Sequence, residues 1–402
     1  MKLSFVSPRF GKEIVGGAEY AIGQLAANCV KFGGIEAEIL TTTAGDERTW
    51  SKKYEIGSEE IDGISVKRFS NDSIDRNAFD SWGTRFNGRM SEMSENDFEQ
   101  WLVRQGPYSP DLLDAIEVCD SDAIIFHPML SSPASHGILR AKAPTVLHPA
   151  LHDEPLSRMS GYKKVVNAAS MLCFSTFFEQ SLSRELYGTD LVKQSVLGFG
   201  IEEPSVILSE VEGSNHLMSL GLEKNNYAIV LGRVDPGKGS DLIAKFFEEY
   251  KNEHEGNIKL VFVGPVSGNS ILADESFTEK NAESIVVTGA VSDKEKSVLV
   301  SNAFALINPS VTESFSLVVL EAMKAQVPVI VNAACGPTVE HVERSKSGYI
   351  FDSYSTFSAC IDLASEDTRD RDLRIINGYE YINKNYSWEN IISKYKKLIE
   401  QL

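Results

Sequence analysis

Short apolar runs alternate with glycine-rich loops and amphipathic stretches along the whole chain, and their spacing predicts two successive α/β halves. The first run, LSFVS, leads through the breaker-rich PRFGKEIVGG into AEYAIGQLAANCVKFG, whose apolar residues fall at helical spacing. AEILTT then reads as a second strand. A strand–helix–strand unit of this kind forces a parallel, right-handed crossover and opens a doubly wound sheet. AIIFHP, TVLHPA and SMLCFST supply further strands of the same sheet. Between them, residues 70–115 are polar and carry Trp82, Trp101 and GPYSP. This segment is expected to be an insertion, helical in part, over a cleft or an outer face.

The pattern stops near residue 200 and restarts at YAIVLGRVDPGKGSDLIAKFFEEY, after which KLVFVG, IVVTG, FALINPS and VPVIVN give four more short strands. The expected organisation is a Rossmann-like domain over residues 1–204 and a second over 205–379. The last segment, YSWENIISKYKKLIEQL, is amphipathic at helical spacing, with Ile391, Ile392, Tyr395, Leu398 and Ile399 on one side.

Composition narrows the function classes. A chain of 402 residues is too long for one ordinary core, and 42% apolar with 24% charged residues is the balance of a globular protein. Lys and Arg total 39 against 57 Asp and Glu, a formal charge of −18. That disfavours a general nucleic-acid binder, which must neutralise phosphates, and a broad grip on anionic lipid. Cys29, Cys119, Cys173, Cys335 and Cys360 are scattered without a C-x-x-C pair, which predicts reduced, buried thiols. MKLSFVSPRF meets Arg9, Lys12 and Glu13 too early for a secretory signal, and no apolar run approaches the roughly 18 residues of a membrane span. The expected location is cytoplasmic, with at most peripheral contact at the inner membrane face.

Two stretches carry candidate chemistry. In NPSVTESFSLVVLEAMKAQVPVIV, a strand ends at Pro309, a polar loop holds Glu313, and a helix begins near Ser316 and stops before Pro328. A helix starting at the carboxyl edge of a parallel strand aims free N–H groups and a positive dipole end outward, where a diphosphate would sit. Glu321 lies about 7 Å along that helix at roughly 1.5 Å per residue, so two carboxylates would flank the phosphate and accept hydrogen bonds from sugar and ribose hydroxyls. In LGRVDPGKGSD, Arg233 and Lys238 follow a strand on a glycine-proline loop, where two cations suit a diphosphate. Asp120-Ser121-Asp122 spells D-x-D but precedes its strand, which fits a turn better than a metal site. VGGAEYAIG misses the G-x-G-x-x-G spacing of a dinucleotide site, and AEILTTT lacks the acid that would hold a ribose. The spacing of His148 and His152 permits metal binding, although structural or acceptor-side roles suit them better.

Together, the E-x7-E from Glu313 to Glu321, the preceding NPS and the upstream GRVDPGKG resemble the retaining glycosyltransferases of family 4. VGGAEYAIGQLA, TGAVSDKEKSVLVSNAFALINPS and YSWENIISKY resemble that family's glycine loop, its approach to the acidic motif and its closing helix. The resemblance implies a GT-B fold: two Rossmann-like α/β domains facing across a central cleft, with segment 380–402 returning to the first. It implies that Arg233 and Lys238 bind the donor diphosphate and that Glu313 holds donor-sugar hydroxyls. The amides of Phe315, Ser316 and Leu317 would meet sugar and phosphate, and Glu321 would bind the ribose. His127, in IIFHP, would touch the sugar ring, while Gly16 and Gly17 would admit phosphate and acceptor close to the backbone. Ser314 and Ser316 stand where the family commonly has glycine, and ACGPTVE replaces a loop that often has two adjacent glycines.

The function so implied is retaining transfer from a nucleotide-diphosphate sugar, UDP first and GDP second, to a hydroxyl of a saccharide or lipid-linked acceptor. The resemblance implies no cofactor and no metal. Rival readings are a nucleotide-sugar epimerase or phosphorylase on the same plan, and a module that binds the nucleotide-sugar without transferring it.

Overall fold

A computed structural model describes residues 1–14, 16–203 and 210–402. The expected domain boundary at 204/205 lies outside the described residues. The chain forms two compact units, residues 1–200 with 388–402, and residues 201–387.

The first unit is built on β1 (Lys2–Val6), β2 (Glu36–Thr42), β3 (Gly57–Ile61), β4 (Ile64–Phe69), β5 (Ala123–Phe126), β6 (Thr145–Leu147), β7 (Met171–Phe174) and β8 (Lys193–Val196). They form one sheet in the order β3-β4-β2-β1-β5-β6-β7-β8, parallel except for the antiparallel β3–β4 pair. Central strands such as AIIF are apolar at every position because helices cover both faces. The second unit holds β9 (Tyr227–Leu231), β10 (Lys259–Val263), β11 (Ile285–Gly289), β12 (Ala305–Asn308), β13 (Val329–Asn332) and β14 (Gly348–Phe351), all parallel, in the order β11-β10-β9-β12-β13-β14. This is the doubly wound, Rossmann-like plan that the alternation of strands and helices predicts.

Each sheet reverses direction once, between β1 and β5 and between β9 and β12. At such a point the two following loops diverge and leave a crevice at the carboxyl ends of the strands. The loops containing Arg233, Lys238 and Glu313 follow β9 and β12, so the topology itself selects the edge where a ligand would bind.

The 70–115 segment is partly helical, over Arg76–Gly83, Glu95–Gln105 and Pro110–Glu117. It is not a loose appendage: Phe79, Phe98 and Trp101 are buried in the first unit's core, and Phe98 meets Tyr162 edge-on at 4.9 Å. The β3–β4 hairpin was not expected. Its turn, Asp62-Gly63, has φ values of 50° and 81°, the two-residue conformation that an Asp-Gly pair favours.

The closing helix Trp388–Ile399 packs in the first unit against the helix Gly17–Gly33. The return begins at Trp388 rather than near 380, because Arg369–Tyr386 is one continuous helix of the second unit. Ile391, Ile392, Tyr395 and Ile399 are buried and Leu398 is half-buried. Each fully buried apolar side chain contributes about 1.5–3 kcal/mol. His148, at the end of β6, lies 3.3 Å by Nε2 from the Tyr395 hydroxyl and stacks on that ring. It therefore anchors the closing helix. The five cysteines are free thiols, four of them buried. Asp122 and Asp120 accept from the backbone N–H and ammonium of Lys2 at 2.7 and 2.9 Å, which makes the D-x-D a clamp on the first strand. Among the described residues, no helix is long and apolar enough to cross a membrane.

Gly200 lies against the Trp388 indole so closely that a Cβ would collide with the ring. Gly200→Ala should therefore cost about 2 kcal/mol through overpacking, lowering Tm by about 4–8 °C for a unit of this size. Gly83→Ala, with open space around the new methyl, should leave Tm unchanged in the same thermal melts.

Candidate active site

Where β9 ends, the chain runs through Gly232 and Arg233 into a short 3-10 turn, Pro236–Lys238, before the helix Ser240–Glu253. Asp235 organises this loop. Its Oδ1 accepts from the Lys238 N–H at 3.0 Å, and its Oδ2 lies 3.7 Å from Arg233 Nε. One carboxylate thus holds both candidate cations on the same rim. An open pocket of about 390 Å³ beside it is lined by Arg233, Asp235, Pro236, Gly237 and, from the loop after β10, Pro265, Val266, Ser267 and Asn269.

The loop after β12 meets this rim through a backbone contact. Gly239 has φ +79°, and a Cβ there would lie 2.7 Å from the Pro309 carbonyl oxygen. Only glycine permits both the left-handed backbone and that approach. The Pro309 carbonyl also accepts from Asn332 Nδ2 at 3.1 Å, so its position is fixed from the end of β13 as well. The result is direct contact between the two candidate loops: Lys238 Nζ donates to Glu313 Oε1 at 2.8 Å.

Beyond Glu313 the chain must turn sharply into the helix Leu317–Lys324. The turn falls at Ser316, the N-cap, with φ 63° and ψ 73°. A left-handed residue with a Cβ costs roughly 1–2 kcal/mol, which gives a physical reason for the glycine the family commonly has there. Here Asn308 offsets the cost. Its Nδ2 donates to Ser316 Oγ at 2.8 Å while its Oδ1 accepts from the Ser310 N–H at 3.1 Å, stapling both ends of the loop. Phe315 is buried against the rings of His341 and Tyr386. Its carbonyl accepts from His341 Nε2 at 3.1 Å. Burial pushes the His341 imidazole down to about 3, so the ring is neutral at ordinary pH.

Glu321, on the second turn of the helix, does not meet Lys238. It pairs with Lys296 at 3.4 Å, and burial raises its carboxyl above the usual range while Lys296 opposes the rise. Leu317 opens the helix, whose mouth aims backbone N–H groups beyond the strand end. Arg233, Lys238, Glu313, Phe315, Ser316, Leu317 and Glu321 therefore all belong to one unit and to two adjacent loops and a helix.

His127, Gly16 and Gly17 belong to the first unit. His127 follows β5, is buried, and donates from Nδ1 to the His148 carbonyl at 3.1 Å. Burial pushes it down to about 4, so it is a neutral ring whose Nε2 can accept. Gly16 has a structural duty: a Cβ would collide with the Glu19 carboxylate and lie 3.2 Å from Arg9 Nη2. Arg9 and Glu19 form a buried ion pair at 2.5 Å, extended by Glu47 at 3.1 Å. A Cβ on Gly17 would meet open space. Among the described residues, no group of three or more His, Cys, Asp or Glu side chains converges in the manner of a metal site.

Asn308, Asn332, Lys296, His341 and the Arg9–Glu19 pair were not singled out from the sequence. The asparagines end NPS-type and VIVN-type strands, a signal that was available. His341 carried none, because its partner is 26 residues away in the chain.

Residues 217–381 match the family model described as Glycosyl transferases group 1. An uncharacterized glycosyltransferase of Methanocaldococcus jannaschii is 23% identical over 425 residues, covering 100% of both chains. The D-inositol 3-phosphate glycosyltransferase of Acidothermus cellulolyticus is 27% identical over 210 residues, 50% of this chain and 46% of that protein. Among solved structures, Anabaena HepE in complex with UDP-glucose superposes with a TM-score of 0.72 at 17% identity, covering 100% of both chains. Sucrose-phosphate synthase from Thermosynechococcus elongatus gives 0.71 at 15% identity, covering 100% of this chain and 98% of that one. The architecture is that of GT-B glycosyltransferases, and the group 1 match within the second unit, together with relatives named glycosyltransferases, supports a glycosyltransferase enzyme.

Because the carbonyl of Pro309 is held by Asn332, it cannot retreat from a methyl at residue 239. Gly239→Ala should cost about 2 kcal/mol, or about 4–8 °C in Tm, and a crystal structure should show Lys238 Nζ moved out of hydrogen-bond range of Glu313.

Proposed function

We propose that this glycosyltransferase moves a sugar from a nucleoside-diphosphate donor, UDP first and GDP second, to a hydroxyl of a saccharide or lipid-linked acceptor, with retention at the anomeric carbon. The observation that carries the reading is the Lys238–Glu313 contact at the reversal point of the second sheet, beside an open helix mouth. A cation suited to phosphate and an acid suited to sugar hydroxyls share one edge. The preference for UDP draws on the neighbours crystallised with UDP and UDP-glucose.

In this reading the glycosidic C–O bond to the diphosphate breaks and its electron pair leaves with the phosphate. Arg233, Lys238 and the amides of Phe315, Ser316 and Leu317 stabilise that charge. Removing one such preorganised donor typically costs about 2.7–4 kcal/mol. The acceptor oxygen bonds to the same face of the anomeric carbon, and its proton passes to the departing phosphate oxygen. Without donor, Lys238 and Glu313 neutralise one another. With donor, Lys238 turns to phosphate and Glu313 accepts from the sugar hydroxyls, while Glu321 accepts from the ribose. Within the first unit, the neutral Nε2 of His127 suits a sugar hydroxyl, and the open face of Gly17, beside Gly16, suits an acceptor. No metal or cofactor enters the scheme. The protein works in the cytoplasm, peripherally at the membrane where the acceptor is lipid-linked.

Thermal melts against a panel of UDP- and GDP-sugars test the donor, since a ligand at 100 times its Kd adds about 2.7 kcal/mol. With the donor found, NMR of the product reads the anomeric configuration, and inversion would overturn the retaining mechanism. Acceptor-independent epimerisation, or phosphate-dependent cleavage, would overturn transfer itself. Lys238→Ala should lower turnover at least about tenfold with Tm unchanged; near-normal turnover removes Lys238 from the mechanism.

A further inference from the structure

Behind the candidate phosphate loop lies a hydrogen-bonded chain that the scheme above does not use. His341 is fully buried on the helix Gly336–Ser345, and both of its ring nitrogens are engaged. Nε2 lies 3.1 Å from the Phe315 carbonyl, and Nδ1 lies 3.1 Å from the Tyr381 hydroxyl, which is in turn 3.2 Å from the Tyr386 hydroxyl. The directions follow from chemistry. A carbonyl only accepts, so Nε2 carries the proton; in a neutral ring Nδ1 then accepts, and Tyr381 must donate to it. The Tyr381 oxygen is left to accept from Tyr386. Two tyrosines on the helix Arg369–Tyr386 thus impose one tautomer on a histidine that holds one carbonyl.

That carbonyl belongs to the peptide joining Phe315 to Ser316. In a trans peptide the C=O and the next N–H point in opposite directions. Drawing the Phe315 oxygen toward the buried ring therefore turns the Ser316 N–H away from it. A peptide entering a left-handed residue is costly to hold, so an anchor here has work that a merely buried histidine would not.

We propose that His341, seated by Tyr381 and Tyr386, is a positioning residue that locks the Phe315–Ser316 peptide so that the Ser316 amide is presented to the donor diphosphate. The proposal rests on the nucleotide-sugar reading of this loop and names a residue that sets its geometry without touching the ligand.

The test compares UDP affinity by calorimetry, and hydrogen exchange across 314–318, in four full-length proteins. His341→Leu removes the donor, His341→Gln retains an N–H donor, and Val342→Ala disturbs the same buried helix without reaching Phe315. His341→Leu should weaken UDP binding at least about tenfold, the scale of a buried carbonyl left unpaired, and speed exchange across 314–318. His341→Gln should recover most of the affinity. Val342→Ala should bind as wild type even at a similar loss of Tm. Unchanged exchange and affinity in His341→Leu, or equal losses in the Leu, Gln and Val342→Ala variants, would overturn the positioning role. Wild-type protein that binds neither UDP nor GDP would instead sink the nucleotide-sugar reading, and the exchange comparison would still decide whether His341 holds the loop.

Discussion

The second unit's site depends on one close approach, the backbone of Gly239 against the carbonyl of Pro309. β9 and β12 are neighbours in the sheet, and their following loops would ordinarily diverge at the reversal point. Because residue 239 has no Cβ and adopts a positive φ, the loops touch instead. Lys238 is the residue immediately before that contact, which is why its ammonium reaches Glu313. The charge pair is partly exposed, so it contributes modestly to stability. Its significance is positional: it keeps a cation and an acid on one edge before any ligand arrives.

A second constraint acts on the backbone itself. The chain leaves β12, must expose its next helix's N-terminus, and does so through a left-handed serine. Asn308 steadies that residue through its side chain, and His341 through the preceding carbonyl. Strain of this kind persists only where surrounding contacts over-determine it. A packing constraint without backbone strain acts at Gly16 in the first unit, where the absent Cβ leaves room for the buried Arg9–Glu19 pair. Glycines near these loops serve the protein's own packing as well as any ligand.

Much of this was readable along the chain. The βαβ rhythm identified most strands of both sheets, since buried parallel strands are short, apolar and bounded by breakers. Three strands of the first sheet escaped, and one of them, β4, carries a legible alternation of buried and more exposed positions in ISVKRF; the other two are polar. β3, GSEEI, is largely exposed at the sheet edge and so lacks an apolar signature; Asp62-Gly63 was the available hint. β8, KQSV, is polar for the same reason. The polar look of 70–115 concealed Phe79, Phe98 and Trp101, whose burial depends on Tyr162 far along the chain.

By itself the sequence determined the two α/β halves, the loops that follow β9 and β12, and the candidate set of Arg233, Lys238, Glu313 and Glu321, because each is a local pattern of residue type and spacing. It also placed the amphipathic closing helix, whose apolar stripe demands a partner. Only the tertiary structure decided that Lys238 meets Glu313 whereas Glu321 meets Lys296, that Ser316 is left-handed, and that His341 reaches Phe315 through one nitrogen and Tyr381 through the other. Those outcomes depend on contacts between residues tens of positions apart. Local propensity carries no information about which distant side chain arrives there; sheet order and helix packing supply it.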